Sequence, residues 1–272
     1  MKEPGTTDPR LETLYEAEGI PAFGLPPALR ERYGGELGFE PPVVYANFVE
    51  TLDGVAAFGD DTPPSAISGK SQADRFVMGL LRACASAVVV GAGTMRIALH
   101  HLWTPDHVYP SLAGDFRAFR IALGLPDVPK LVVLTRTGNI KTSAAALEEG
   151  ALVITTTTGA EKMRRRLPRA TTIRTVMSGR IDPAEVVEIL RRDGHETILA
   201  EGGPHVLGSF LRGGLLDELF VTLSPRLAGR SKAAPRLGLI EGMALDPDQL
   251  RAITLLSAKR HESHLFLRYG LR

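Results

Sequence analysis

The sequence predicts an α/β fold on a mixed sheet, mostly parallel, with antiparallel strands at its C-terminal end. Three observations predict it. Short β-branched runs alternate with helical patterns through the middle of the chain, as in strand–helix–strand units. Two of those runs, residues 86–90 and 198–200, pass straight into glycine-rich turns that open helices. The tail reads as two long strands, 253–257 and 264–269, joined by a short link, which gives the sheet an antiparallel edge.

Bulk properties narrow the class. The chain has 272 residues, 44% hydrophobic and 23% charged, with a formal net charge of +1. That is ample for a buried core and leaves no electrostatic footprint for nucleic acid. Cys84 is the one cysteine, so no internal disulfide forms, and a buried structural thiol in a reducing compartment is expected. The N-terminus lacks an apolar signal region, and no run reaches the roughly 18 apolar residues of a membrane span. A cytoplasmic protein without membrane or nucleic-acid partners is expected.

The elements are taken in chain order. Residues 1–40, rich in proline, glycine and charge, read as an extension packed on the domain; residues 41–272 form the domain itself. A β-rich run over 43–49 contains Asn47, a polar side chain that needs a partner in the structure or in a ligand. Asp53-Gly54 then predicts a tight turn into a second extended piece, 55–58. Gly69-Lys70-Ser71 is not a phosphate loop, because Pro64 stands where the first glycine is required. Phe76, Val77, Leu80, Leu81 and Cys84 mark an amphipathic helix capped by Ser68 or Ser71, with Arg82 near its end.

The strand over 86–90 enters a turn with Gly91, Gly93 and Thr94, a place for a cofactor phosphate or nicotinamide. Residues 100–110 hold several aromatic and imidazole groups close together and read as a loop over a pocket; their spacing matches zinc patterns poorly, so no metal site is expected. A short helix over 115–123 leads to a strand ending at Thr135 and Arg136, where an arginine at the rim can read a cofactor 2′-phosphate. Strands over 152–155 and 172–177 come next, then a helix with Asp182 as N-cap, Pro183 at its first position and Gly194 as its stop. The strand ending at Glu201 turns through Gly202, Gly203 and Pro204 into the next helix, whose amides and dipole favour an anion. Glu201 thus stands at the rim of the expected binding crevice. His261 and His264 are read as edge-strand surface residues.

The order of motifs resembles a known family. Thr51-Leu52-Asp53-Gly54, Ile67-Ser68-Gly69, Leu80-Leu81-Arg82, Val90-Gly91-Ala92-Gly93-Thr94, Thr135-Arg136, Glu201-Gly202-Gly203-Pro204 and Leu216-Asp217-Glu218-Leu219 are similar to the reductase domain of the bacterial riboflavin-biosynthesis deaminase–reductase. No zinc deaminase signature is present, so the resemblance is to a reductase standing alone. It implies a dihydrofolate reductase-like three-layer fold, a homodimer, and NADPH-dependent reduction of the ribosyl group of 5-amino-6-(5-phosphoribosylamino)uracil. It places Thr94, Arg136 and Gly203, Pro204, His205, Val206 and Leu207 on cofactor positions, and Arg82 and Glu201 on substrate positions. Ala98 stands where the family pattern has an aspartate, and His100-His101-Leu102-Trp103 replaces most of the leucine and arginine segment after it.

The expected chemistry is hydride transfer to C1 of an opened ribosylimine, with Glu201 holding the uracil amine or a ribose hydroxyl. Asp53 is either an acid or base for ring opening or a turn-former. A dihydrofolate reductase-like or other imine or carbonyl reductase is the alternative enzyme, and an NADP(H)-binding protein without turnover the alternative of another class.

Overall fold

The computed structural model describes residues 9–59 and 62–271. In chain order the first elements are β1 (Glu12–Glu16), α1 (Pro27–Tyr33), β2 (Val43–Thr51), α2 (Ser65–Ser68), α3 (Gln72–Cys84), β3 (Ala87–Gly91) and α4 (Ala92–Ile97). The middle contains α5 (Pro105–Val108), α6 (Ala113–Ala122), β4 (Lys130–Thr135), α7 (Ala145–Glu148), β5 (Leu152–Thr156), α8 (Thr157–Met163) and β6 (Thr172–Val176). The last third adds α9 (Pro183–Arg192), β7 (Thr197–Ala200), α10 (Pro204–Arg212), β8 (Glu218–Ser224), β9 (Thr254–His261) and β10 (His264–Gly270).

All ten strands join one sheet in the order β1-β9-β10-β8-β2-β7-β3-β4-β5-β6. The run from β8 to β6 is parallel, and β10, β9 and β1 add antiparallel to it. The central strands read as unbroken apolar runs because helices cover both of their faces: β3 is buried at every position. One face packs Tyr45, Val88, Val90 and Leu199 against Phe76, Leu80, Phe116 and Phe119 from α3 and α6. The other packs Val44, Ala46, Ile198 and Ala200 against Val186, Leu190, Leu207 and Phe210 from α9 and α10. These are the three layers the sequence leads one to expect.

The helix that carries Arg82 is fixed at both ends. Ser71 caps α3 by accepting from the Asp74 amide. At the other end the buried Arg120 guanidinium donates to the carbonyls of Arg82, Ala83 and Ala85 at 3.0, 3.0 and 2.7 Å, satisfying groups a helix terminus leaves open. The Tyr45 hydroxyl donates to Leu81 O at 2.7 Å and ties the same turn to β2. Cys84 is buried there, as expected, and burial pushes its thiol up to about 12.

Several local expectations change. Residues 9–40 do more than pack on the surface: β1 becomes an edge strand on β9, and Leu11, Leu29, Leu37 and Phe39 enter the core. Asp53-Gly54 makes the expected tight turn, and the piece after it, 55–58, joins no named strand of the sheet. Gly54, at φ +76°, turns the chain so that Thr51 N donates to Val55 O, and Ala57 then bridges Leu237 instead. The loop over 100–110 contains one short helix, α5. β10 is an interior strand, so His264 is half-buried and its Nε2 lies 3.0 Å from Ser68 O, while His261 meets Arg10 O at 3.1 Å.

Candidate active site

Connections along β2-β7-β3 fix where a ligand can sit. The link from β2 to β3 runs through α3 on one face, while β7 is entered from α9 and left through α10 on the other. The connections therefore diverge around β7, and the carboxyl ends of the strands there open a crevice, the usual ligand position in such sheets. Every sequence-derived candidate except Asp53 falls on this rim or on the helix beside it.

Glu201 comes directly after the last residue of β7 and its amide donates to Val89 O at 2.9 Å, so its carboxylate is placed by backbone pairing. Arg82, from the last turn of α3, reaches it with Nε at 2.9 Å and Nη2 at 2.8 Å, both on Oε2. The side chains are 3% and 7% exposed, so this is a buried ion pair rather than the solvated cation that Arg82 suggests in isolation. Glu201 Oε1 is buried and has no hydrogen-bond partner. A buried acceptor left open is costly unless something fills it.

The other edge of Arg82 meets His101. Nη1 lies 3.0 Å from His101 Nε2 and 3.4 Å from Leu102 O. His101 is held edge-on between Trp103 and His107, with ring centroids 5.0 and 4.8 Å away. Burial, then the Arg82 charge, pushes its pKa down to about 3, so the ring is neutral at physiological pH. Asn47 stands beside Glu201: Ala46 pairs with Ala200, and Asn47 and Glu201 come next on their strands. It is half-buried and lines a small space under α3 with Thr222, Ser257 and Arg268.

The two glycine turns converge. A Cβ on Gly202 would lie 2.5 Å from Val206 Cβ, and one on Gly91 would lie 3.1 Å from Val206 Cγ2. One on Gly203 would face Thr94 Oγ1 at 3.7 Å. Val206 thus fills the space beside Gly202 and Gly91, where the two turns pack closely, and the backbone at Gly203 leaves a shallow cradle edged by Thr94 and by the first residues of α10, Pro204, His205, Val206 and Leu207. Gly93 belongs to the same turn and has only Arg96 Nη2 near its Cβ position, at 3.8 Å. Gly91 pairs with Leu134, so Thr135 and Arg136 continue the rim on the adjacent strand. Arg136 is exposed, and its side chain bonds to none of the described residues.

Asp53 has a different task. Its carboxylate accepts from Thr51 Oγ1 at 2.6 Å and from the amides of Ala228 and Gly229 at 3.0 and 2.6 Å. The Thr51 bond, then the two amides, hold it well below the usual carboxylate range. Of the two sequence readings, turn-former and acid or base, the geometry favours the first: the carboxylate ties Thr51 and the 228–229 backbone together.

Asp74 and Thr222 escaped the sequence reading, and His101 was read only as part of a loop over a pocket. Asp74, in the first turn of α3, is 6% exposed; burial raises its pKa against hydrogen bonds from the hydroxyls of Thr222 and Ser68 and the nearby His264. Its spacing with Val77 and Leu81 on the buried stripe was the available signal. Thr222 alternates into the same face as Phe220. His101 offered no signal beyond its aromatic neighbours.

The RibD C-terminal domain family model matches residues 42–255. This chain belongs to that family. Among curated RibD-related proteins, the 2,5-diamino-6-ribosylamino-4(3H)-pyrimidinone 5′-phosphate reductase of Archaeoglobus fulgidus is 23% identical over 190 residues, 69% of this chain and 82% of that one. The riboflavin biosynthesis protein RibD of Bacillus amyloliquefaciens is 33% identical over 116 residues, 40% of this chain and 31% of that one. A pyrimidine reductase-like protein from Corynebacterium diphtheriae shares the fold with a TM-score of 0.68 at 21% identity, covering 85% of this chain and 92% of that structure. The family is that of the pyrimidine reductases of riboflavin biosynthesis. Among the described residues no helix is long and apolar enough to cross a membrane, and no metal-binding group of His, Cys, Asp or Glu occurs.

Proposed function

We propose that this chain is an NADPH-dependent reductase of 5-amino-6-(5-phosphoribosylamino)uracil or a close analogue, with C1 of the opened ribosyl chain as hydride acceptor. The observation that carries this reading is Glu201 at the crevice, with Oε2 tied to Arg82 and Oε1 buried and open. Family membership gives the reaction class, and the carboxylate gives it a place.

The residues present suit a dinucleotide. The cradle that a side chain at Gly203 would obstruct lies at the start of α10, where unpaired amides and the helix dipole favour a pyrophosphate. Thr94 would bond the same group, and Thr135 and Arg136 would meet the 2′-phosphate one strand over. When bound, NADPH supplies the hydride. Glu201 Oε1 would accept an N–H of the pyrimidine amine, and Asn47 beside it would offer an amide to the ring. Together they would orient the opened chain so that C1 gains the hydride while the imine nitrogen takes a proton from solvent water.

The substrate half supports a second reading, a reductase of another imine or carbonyl, because His101 closes on Arg82 in the segment that departs from the family pattern. As for assembly, we read the chain as a homodimer pairing through the half-buried Leu256, Leu265, Leu267 and Tyr269 of β9 and β10.

The deciding experiment is a binding titration with NADPH and NADH on wild type and Arg136→Ala, and then NADPH consumption with the pyrimidine and with dihydrofolate. NADPH should bind at least about tenfold ahead of NADH, and the variant should lose that preference. Binding of neither cofactor would remove the reductase reading; binding without consumption of NADPH by either compound would leave a cofactor-binding protein.

A further inference from the structure

Arg82 has few directions left. A guanidinium presents five N–H donors in a fixed plane. Nε and Nη2 are on Glu201 Oε2, and Nη1 is on His101 Nε2 and Leu102 O. Because Nη1 can only donate, His101 Nε2 must present its lone pair, which puts the ring proton on Nδ1. The imidazole thus occupies the edge through which Arg82 would otherwise meet a ligand.

We propose that His101 is a positioning and specificity residue of the substrate site, holding Arg82 on Glu201 so that the guanidinium serves the carboxylate and no substrate anion. The group recognised at this point is then a hydrogen-bond donor, an amine or N–H, read by Glu201 Oε1. This rests on the proposed role of Glu201 and narrows it.

The surroundings keep the imidazole in that state. Its charged and titratable neighbours are Arg82 and Arg75 from α3 and His107 from α5, and each opposes a second positive charge. Trp103 and His107 fix the ring plane. Protonation of Nε2 would set a cation against Arg82 and release the guanidinium from its place. His101 acts through Arg82 and Glu201, so its loss should weaken recognition of the pyrimidine and leave the cofactor cradle alone.

The test uses wild type, His101→Phe, which keeps a buried ring without the acceptor, and His101→Gln, whose amide oxygen can accept from Arg82. Each is titrated with 5,6-diaminouracil, with inorganic phosphate as competitor and with NADPH. The His101 ring nitrogens are tracked by NMR from about pH 8 to about pH 5.

Diaminouracil binding should weaken about tenfold in the phenylalanine variant and recover to within about threefold in the glutamine variant, with NADPH affinity unmoved in both. Nε2 should stay unprotonated throughout the pH range, and millimolar phosphate should not displace diaminouracil from wild type. A His101 ring that titrates near the ordinary value of about 6.5 overturns the proposal. So does phosphate competition in wild type, or undiminished diaminouracil binding in the phenylalanine variant. If diaminouracil fails to bind wild type, the role of Glu201 falls and the specificity claim with it, whereas the ring's protonation state still decides whether His101 holds Arg82.

Discussion

Glu201 gives one oxygen to Arg82 and, in the proposed function, the other to the substrate, and that division sets what a substitution there must do. Glu201→Gln keeps shape and volume but turns one oxygen into a donor and removes the charge that Arg82 faces. If the amide nitrogen takes the Oε1 position, the acceptor for the substrate amine becomes a donor. kcat/KM for the pyrimidine should fall about a hundredfold, comparable to losing one preorganised polar contact in a closed site. NADPH affinity should change by less than about twofold, because the cradle is built from other residues. Stability should drop by about 3 kcal/mol, since Arg82 is left as a buried charge without its counterion. Steady-state kinetics and urea melts on the same preparation separate the two effects, and unchanged turnover would end the assignment. Residue types were legible here: a carboxylate ending a strand and an arginine ending a helix. Their pairing was not, because the two lie 119 positions apart and only the packing of α3 on the sheet joins them. Asp53 shows the reverse. Its neighbours in sequence suggested chemistry, yet its partners at Ala228 and Gly229 come from a distant loop. The place of Asp74 and the contact of His101 with Arg82 were hidden for the same reason, although the segment holding His101 was read as a loop over a pocket.

At the scale of elements, local signals did well where the physics is local. Ser71, Asp182, Pro183 and Pro204 mark helix starts because capping and proline geometry act within one turn. The turn into 55–58 was legible, whereas the Ala57 bridge to Leu237 was not, because strand pairing depends on a partner that sequence proximity does not supply. The glycine turns give a direct test. Gly202 has an ordinary backbone conformation, so its need for glycine comes from the close approach of Val206, 2.5 Å from the would-be Cβ. Gly202→Ala therefore has to push the first turn of α10 away from β7. NADPH affinity should fall about tenfold while Glu201 and Arg82 keep their places, and the additional variant Val206→Gly, which removes the Cβ that the new methyl meets, should restore most of it. Calorimetric titration of the single and double variants checks this. An alanine at 202 that binds NADPH normally would mean the cradle plays no part in cofactor binding.

The sheet reaches well beyond the candidate site on one side. β8, β2, β7, β3 and β4 frame the crevice, while β10, β9 and β1 extend the sheet away from it. Alternation gives those added strands two unlike faces. Phe266 and Arg268 turn inward, with Arg268 on Glu218 at 2.7 and 2.8 Å. Leu265, Leu267 and Tyr269 turn to the side that α9 and α10 cover over β2, β7 and β8, and neither β9 nor β10 contributes a buried side chain to that core. A row of half-buried leucines beside a completed core is what a second copy can cover, and a two-fold axis would bring the same row from each chain together. Leu267 sits mid-row, opposite Val221 on β8 and Ala258 on β9. Leu267→Glu would then place like charges across the axis in both copies, where desolvation and repulsion act together. Light scattering on eluted protein should show a dimer for wild type and a monomer for the variant. NADPH affinity should survive, since β10 is separated from the cofactor strands by β8 and β2. A monomeric wild type would assign the leucine row to the fold alone. A variant that remains dimeric would move the interface elsewhere, and the exposed strand β1, whose outer backbone edge is unpaired in the sheet, would be the next surface to block.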